Sequence, residues 1–578
     1  MIPDFFLVSG NPRPKLRVGL LLDSDVQPAW IARQLEAICA SDFAQVACVV
    51  YNAAASGPEP PARTRLSGPI AILRNPRSRS HVLYSLYCKL DRRFFPVAPE
   101  LDPHRLVNCS PWLGGAAVIR VQPLVKGFVH RFPEEDLERL RAQNLDVLLR
   151  FGFNILRGGV LTVARYGIWS FHHGDNDYFR GGPPHFWELV ENFPLSGVLL
   201  QRLSEDLDAG LVLSKALLPT VQGLSLRRNR FAPYWAGSIF ILRKLHELHE
   251  RGWEFICGKS IPNRFVEGRK KLYRTPTNWE MVRFLAPRLL RKAVMRPFRR
   301  PLIPHWKLAV RVGAPTPLSP ETADLAGFRW VDSPRGHFYA DPFVIVERGK
   351  RWVFFEDFLY RERRGVISFA EVLPDGRLSA AERAVEENHH LSFPFLFRHE
   401  GEIFMIPESR RDGGISLYRA TAFPREWKKE KVLLECLPAL DTTILHLDGF
   451  FWLFTTIRPE PGEPSELWLY YADSLFGEWT YHPANPICAD ARRARNAGAI
   501  FASQNRYIRP SQDCSVRYGY AIGLNEITRL NTNEYTEATR TVILPSWAKG
   551  CEGTHTYNCC QDIEVIDGNF PCPCAVAL

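Results

Sequence analysis

Residues 167–210 read GIWSFHHGDNDYFRGGPPHFWELVENFPLSGVLLQRLSEDLDAG. An apolar run of strand length ends in His172. A Gly/Pro-rich loop follows, and Asp208 lies in the LDAG run that closes the stretch. A base on a strand end, a loop whose backbone can approach a ligand, and a carboxylate to move a proton form the layout of a group-transfer site.

The flanking sequence extends this into an α/β domain. LRVGLLL (16–22), QVACVVY (45–51) and DVLLRFG (146–152) are apolar runs of strand length, and Val118–Val121 is a fourth, shorter one. Asp23-Ser24-Asp25 is placed to cap a helix over 27–40. Further helices are predicted near 80–93 and over 134–143. Alternating strands and helices predict a mostly parallel sheet covered on both faces.

Composition bounds the classes. With 46% apolar and 23% charged residues over 578 positions, the chain is globular and multidomain rather than disordered or fibrous. Between Arg264 and Lys307, thirteen Lys and Arg meet two acids, Glu267 and Glu280; that surplus accounts for the formal charge of +11. The rest of the chain is near neutral, so nucleic acid is not expected as a partner. A basic amphipathic segment over 264–307 suits peripheral contact with an anionic membrane, and it equally suits a solvated linker. No leader and no spanning run are read, and the 13 cysteines read as reduced thiols, so a cytoplasmic location is expected. Five of them (Cys551, Cys559, Cys560, Cys572, Cys574) crowd the C-terminus without an ordinary zinc spacing, and no metal is expected.

After about residue 220 the texture changes. Residues 229–251 and 279–296 read as helices, and three prolines (Pro297, Pro301, Pro304) end helical structure. From about 306 the pattern is β and repeats. GKRWVFFED (349–357), GEIFMIPES (401–409), GFFWLFTT (449–456) and QNRYIRPSQDC (504–514) are one element, anchored on Trp352, Phe404, Trp452 and Tyr507. A period near 50 residues fits propeller blades; four repeats and a closing segment, THTYNCCQDIEVIDG (554–568), predict five. The predicted organisation is thus an α/β domain over 1–220, a basic helical linker over 221–305, a five-bladed propeller over 306–568, and a Cys-rich tail over 569–578.

The residues of the opening stretch resemble those of the folate-dependent formyltransferase family. Tyr178-Phe179-Arg180-Gly181-Gly182-Pro183 match its loop loosely, and Leu207-Asp208-Ala209-Gly210 match its aspartate motif well. The resemblance implies a Rossmann-like formyltransferase fold over about 16–220 and formyl transfer from 10-formyltetrahydrofolate to an amine on a small molecule or carbohydrate acceptor. It implies His172 and Asp208 as the acid–base pair, and Phe151, Gly152, Phe153, Asn154 and Ile155 as the loop that brackets the cofactor. Ser170 stands where the family carries asparagine; it offers one donor instead of an amide's two, so the oxyanion contact is lost, moved to His173, or supplied by water. Arg180 and Gly181 read either as an anion site for the acceptor or as a tight turn needing positive φ.

In the C-terminal half, HFYADPFV (337–344) resembles the first-blade motif of furanosidase-like propellers. FYADPF, FFED, IPES, QDCSVRYGYAI and HTYN with IEVIDG are similar to the N-terminal module of glucosamine inositolphosphorylceramide transferases. Asp341, Glu356, Asp357, Glu408, Asp441, Arg495, Gln512, Asp513 and His555 are the candidates, with Asp341, Glu408 and Asp441 foremost for substrate. Paired carboxylates there hydrolyse a glycosidic bond, hold sugar hydroxyls, or merely cap blade turns. Two readings follow: a formyltransferase whose propeller recognises carbohydrate, or a carbohydrate-active or glycan-binding propeller with a degenerate N-terminal domain.

Overall fold

The structure, a computed structural model, describes residues 5–54, 79–206, 210–263, 271–295, 302–313, 317–318, 320–409, 411, 413–458 and 465–573. These fall into two units that divide after Met295.

The first unit is built on one eight-stranded mixed sheet. Its strands are β1 (Leu16–Leu22), β2 (Ala44–Asn52), β3 (Ala117–Val121), β4 (Val147–Arg150), β5 (Ile168–His172), β6 (Leu195–Arg202), β7 (Leu211–Pro219) and β8 (Ile261–Pro262), in the order β8-β7-β6-β5-β4-β1-β2-β3. The five from β5 to β3 run parallel and the three beyond β5 are antiparallel. The central strand β1 is almost wholly buried, as a strand covered on both faces must be. At Gly19 a Cβ would lie 2.6 Å from Leu145 Cδ1, so only glycine lets the neighbouring side chain pack there.

The first helix departs from expectation. It starts at Ala29, not Gln27, and has no side-chain cap. Val26–Pro28 is extended because it pairs with 106–108, which delays the helix. The three capping candidates work elsewhere: Asp23 accepts from Asn52 Nδ2 and Phe153 N (both 3.1 Å), Ser24 Oγ donates to Val26 O (3.0 Å), and Asp25 accepts from the Tyr51 hydroxyl.

The region expected as a linker is part of this unit up to Met295. The single helix predicted over 229–251 is two, Leu226–Gly237 and Phe240–Arg251. The break follows Gly237, where a Cβ would lie 3.1 Å from Val198 and 3.2 Å from Phe171 on the sheet. Phe240, Ile241, Leu242, Leu245 and Leu248 are all buried; a helix with such an apolar face covers a sheet rather than bridging domains. The last helix, Asn278–Met295, buries Met281 and Phe284 in a cluster with Tyr87, Phe186 and Trp187. Its second half leaves Leu289, Leu290 and Val294 exposed beside Arg291 and Lys292. Among the described residues no helix is long and apolar enough to cross a membrane.

Among the described residues the second unit is built on five antiparallel sheets, with one short two-stranded ladder beside them. Chain order gives β9 (Trp306–Val312), β10 (Arg329–Val331), β11 (His337–Glu347), β12 (Lys350–Leu359), β13 (Arg364–Val372), β14 (Glu382–Val385), β15 (Ser392–His399), β16 (Glu402–Glu408), β17 (Gly414–Ala422), β18 (Glu426–Glu435), β19 (Ala439–Leu447), β20 (Phe450–Ile457), β21 (Glu466–Ala472) and β22 (Thr480–Tyr481). There follow β23 (Arg495–Asn496), β24 (Phe501–Ser503), β25 (Arg506–Asp513), β26 (Ala521–Leu530), β27 (Tyr535–Ile543), β28 (Tyr557–Cys560) and β29 (Ile563–Asn569). Three sheets are simple meanders, β11 to β14, β15 to β18 and β19 to β22. The fourth runs β23-β25-β26-β27 with β24 on β25. The fifth joins both ends of the unit in the order β10-β9-β29-β28. The sequence repeats are the second strands: Trp352, Phe404, Trp452 and Tyr507 lie on β12, β16, β20 and β25.

First strands link sheet to sheet. Phe343 meets Phe393 edge to face, Asn496 Nδ2 donates to the Asp441 carbonyl at 2.7 Å, Tyr557 N to Ala497 O at 2.8 Å, and Asn558 Nδ2 to Pro342 O at 2.7 Å. The described part of the tail pairs back: Cys572 and Pro573 bond to Leu302 and Ile303.

Candidate functional site

Three of the first strands carry the same distortion. Ladder register breaks between Ala340 and Phe343, between Ser392 and Phe395, and between Leu440 and Thr443. Inside each break sits one non-glycine residue of positive φ: Asp341 (49°), Phe393 (45°) and Asp441 (47°). Such backbone costs on the order of 1–3 kcal/mol and turns a side chain out of the ladder. At two of the three positions that side chain is a carboxylate, and both are buried.

Around Asp341 the partners come from residues 555–567, in and beside the last two strands of the fifth sheet. Thr556 Oγ1 donates to Asp341 Oδ1 at 2.6 Å. His555 Nδ1 lies 2.5 Å from Asp567 Oδ2 and 3.7 Å from Asp341 Oδ1. Asp567 Oδ1 also accepts from His555 N (2.8 Å) and Thr556 N (3.0 Å), and the His555 ring stacks on Trp306 at 3.8 Å. Ligand atoms of Asp341, His555 and Asp567 lie within 4.8 Å of one another, close enough for a cation. The hydrogen bonds to Asp567 already account for its carboxylate.

Around Asp441 the counter-charge is Arg495. Its Nε donates to Asp441 Oδ2, its Nη2 lies 3.6 Å from Glu408 Oε2, and its guanidinium sits 4.9 Å from the Tyr518 ring centre. Gln512 Nε2 reaches Asp441 Oδ2 at 3.2 Å. Gln512 Oε1 and Glu408 Oε2 are buried with no hydrogen-bond partner, so the cluster has polar capacity left for a ligand.

Burial and mutual repulsion separate these acids by protonation. Burial, with Asp567 and Asp441 adding to it, pushes Asp341 up to about 6. Burial and then Asp341 raise Glu356 well above the carboxylate range; burial and then Asp441 do the same for Glu408. Burial opposes the charged form of His555, but Asp567 and Asp341 outweigh it and raise its pKa. Acids pushed toward the neutral form, which donates, therefore stand beside an imidazole pushed toward its charged form and a guanidinium. Such a set binds vicinal hydroxyls bidentately and also supplies an acid–base pair.

Of the sequence candidates, Asp341, Glu356, Glu408, Asp441, Arg495, Gln512 and His555 interact within this cluster. Asp357 is engaged elsewhere, by His337 Nδ1 (2.7 Å) and Ser368 Oγ (3.2 Å), and Asp513 caps Ser515 N (2.8 Å). Asp567, Thr556, Trp306 and Tyr518 were missed. An acid inside the run IEVIDG, which also holds Glu564, was the available signal for Asp567.

In the first unit the candidates are more dispersed. Asp208 lies outside the described residues. His172, at the C-terminal end of β5, has Nε2 3.1 Å from Phe179 O. Ser170 Oγ accepts from Arg150 Nε at 3.0 Å, and Arg150 Nη1 donates to Asn154 O at 3.1 Å. Arg150 thus bridges the two groups expected to face the transferred carbon and the cofactor. The loop from Phe151 is bound to β1: Phe151 N and Gly152 N both donate to Leu21 O, and a Cβ at Gly152 would lie 2.7 Å from Asp23 N. Phe153 packs on Phe132, and Ile155 N donates to Phe128 O. His173 stacks on Tyr234 at 3.9 Å; burial holds it neutral. Gly181 has a φ of 88°, and a Cβ there would lie 2.3 Å from Tyr273 O, because Arg180 and Gly181 pair with Leu272 and Tyr273. Close backbone approach alone requires a glycine at this position.

Residues 318–563 match the family model described as glucosamine inositolphosphorylceramide transferase 1, N-terminal. The chain is 38% identical over 206 residues to glucosamine inositolphosphorylceramide transferase 1 of Oryza sativa subsp. japonica, covering 35% of this chain and 28% of that one. It is 37% identical over 219 residues to the Arabidopsis thaliana protein, covering 37% and 28%. The chain thus spans 28% of the length of these curated relatives. It is also 31% identical over 81 residues to the methionyl-tRNA formyltransferase of Lachnospira eligens, covering 14% of this chain and 26% of that one. Among solved structures, a family 117 glycoside hydrolase of Zobellia galactanivorans is similar at 12% identity and a TM-score of 0.29, over 43% of this chain and 77% of that one. A glycinamide ribonucleotide transformylase of Symbiobacterium toebii is similar at 17% identity and a TM-score of 0.24, over 44% and 92%. Neither score reaches the level at which a shared fold is inferred.

Proposed function

We propose that the five sheets of the second unit are blades of a propeller, and that its carboxylate cluster holds the sugar part of a glycosylated substrate in a glycosyl- or lipid-sugar-transfer reaction. The convergence of Asp341, Glu356, Glu408 and Asp441 on Arg495 and His555 carries this reading. The match of 318–563 supports the transferase class, and the relatives' names supply the ligands to try first, glycans bearing glucosamine or inositol. Calorimetric titration of the full chain with these glycans is expected to give saturable binding; none at millimolar glycan overturns the assignment.

A second reading, formyl transfer in the first unit, is favoured by the place of His172. In open α/β sheets ligands bind at the C-terminal ends of the parallel strands, and β5 ends there beside β4. Arg150 must leave Ser170 for a formyl group to reach it. Titration with 5-formyltetrahydrofolate is expected to show binding that His172→Ala weakens at least tenfold without a change in Tm. A wild-type protein that ignores folate ends this reading.

Peripheral membrane contact is proposed for the exposed half of the helix Asn278–Met295. Cations near an anionic surface contribute about 1 kcal/mol each. Arg291→Glu with Lys292→Glu is therefore expected to lower partitioning onto phosphatidylserine vesicles by at least tenfold in a flotation assay.

A further inference from the structure

The second unit has a basic cavity that the sugar site does not use. It encloses about 410 Å³, is lined by His305, Lys307, Arg335 and His337 together with Ser333 and Phe570, and none of its lining residues is acidic. A tight turn presents Arg335: Ser333 Oγ donates to His337 O at 2.9 Å, His337 N to Pro334 O at 3.2 Å, and Gly336 takes a φ of 86°. Arg335 has no ion pair or hydrogen bond among the described residues. Lys307 pairs with Asp332 at 2.7 Å, but the Asp332 side chain is 84% exposed, so that pair is screened and exchangeable.

Both imidazoles face one fixed partner each. The Tyr360 hydroxyl donates to Pro304 O at 2.7 Å, so it accepts from His305 Nδ1 at 3.1 Å. His337 Nδ1 donates to Asp357. Each ring turns Nε2 to the cavity: a charged ring donates there and a neutral one accepts, and burial and then Lys307 favour the neutral form of His305. A guanidinium and an ammonium around one cavity donate to the oxygens of a phosphate, and a neutral imidazole Nε2 accepts from the hydroxyl of a protonated monoester.

We propose that this cavity is a phosphate subsite for a sugar phosphate, as monoester or diester. The proposal rests on the sugar-binding reading of the carboxylate cluster and adds a second anchor to it. The two are tied by the chain: Trp306, between His305 and Lys307, stacks on His555, and His337 precedes Asp341 on β11 by about 13 Å of extended backbone. Carboxylates repel a phosphate from one end and the basic cavity accepts it at the other, which sets the polarity of the substrate. A soluble sugar phosphate and a phospholipid headgroup share this chemistry.

The test titrates wild type and Lys307→Ala/Arg335→Ala with inorganic phosphate and with glycerophosphoinositol, read by phosphorus NMR at low ionic strength. Saturable binding is expected, weakened at least tenfold in the double variant and by added salt. Binding of the neutral glycan is expected unchanged in that variant, which also shows that it folds. In an Arg291→Glu/Lys292→Glu background, flotation on phosphatidylinositol vesicles that the Lys307→Ala/Arg335→Ala pair abolishes assigns the lipid source; no flotation in that background, with glycerophosphoinositol binding that the same pair abolishes, assigns the soluble one. Wild type that binds neither phosphate, or a double variant that binds both as well as wild type, overturns the proposal. Phosphate binding without glycan binding overturns the sugar reading and leaves the phosphate site standing.

Discussion

Arg495→Met is expected to destabilise the second unit by about 3–5 kcal/mol and to abolish glycan binding. The guanidinium is buried between Asp441 and Glu408, and burial works against its charge while Asp441 holds the proton on. Removing one partner of a buried pair leaves the other charge desolvated and uncompensated, which accounts for the magnitude. Methionine replaces the stem volume but not the hydrogen bonds. Asp441→Asn added to Arg495→Met is expected to return much of the loss, because the stranded charge goes with it. Urea unfolding of the four proteins of this cycle measures both terms. Arg495→Met within 1 kcal/mol of wild type would show that the ion pair is not part of the fold's support.

What the sequence made legible follows from which features are periodic. The anchors Trp352, Phe404, Trp452 and Tyr507 recur at one place in the second strand of four sheets, so sheet count and strand identity were readable. Asp341 was readable from its place in HFYADPFV. Its conformation was not: positive φ at Asp341, Phe393 and Asp441 lies in three dissimilar local sequences, and only the paired strands show the shared bulge. Asp567 was hidden because an acid in a buried strand looks like a fault until His555 is beside it. The helix at Ala29 was misplaced because the strand pairing of Val26–Pro28 with 106–108 overrides a good capping sequence. The linker was misjudged because charge dominates 264–307 in sequence, whereas burial of Phe240, Leu245 and Leu248 decides the packing of what precedes it. Arg150 was unforeseen in the same way: nothing local announces that a strand-end arginine will donate to the serine paired with it on the neighbouring strand, yet that contact bears directly on whether formyl transfer is open to this site.

Asp341→Asn is expected to stabilise the second unit while removing its function. The folded protein holds this carboxyl up to about 6, chiefly by burial, against an ordinary value of 3.8. A raised folded value means the native state binds the proton more tightly. The advantage is whole below about pH 4, and it is lost as pH rises through 6. At pH 7 the ionised carboxylate then costs the fold about 3 kcal/mol by linkage. Asparagine carries no charge to desolvate, and its amide oxygen still accepts from Thr556 Oγ1. His555 keeps Asp567 as its partner. The variant is therefore expected to be more stable than wild type by about 1–3 kcal/mol at pH 7 and to converge with it near pH 4, as read by denaturant midpoints across that range. Glycan binding is expected to fall at least a hundredfold, since the amide can neither carry a proton nor offer two equivalent acceptors to vicinal hydroxyls. The combination is diagnostic, because groups kept for function at a cost to the fold behave this way and groups kept for structure do not. A variant that loses stability at pH 7 and still binds glycan would make Asp341 a structural residue of the closing strands, and the site would then have to be sought around Asp441 alone.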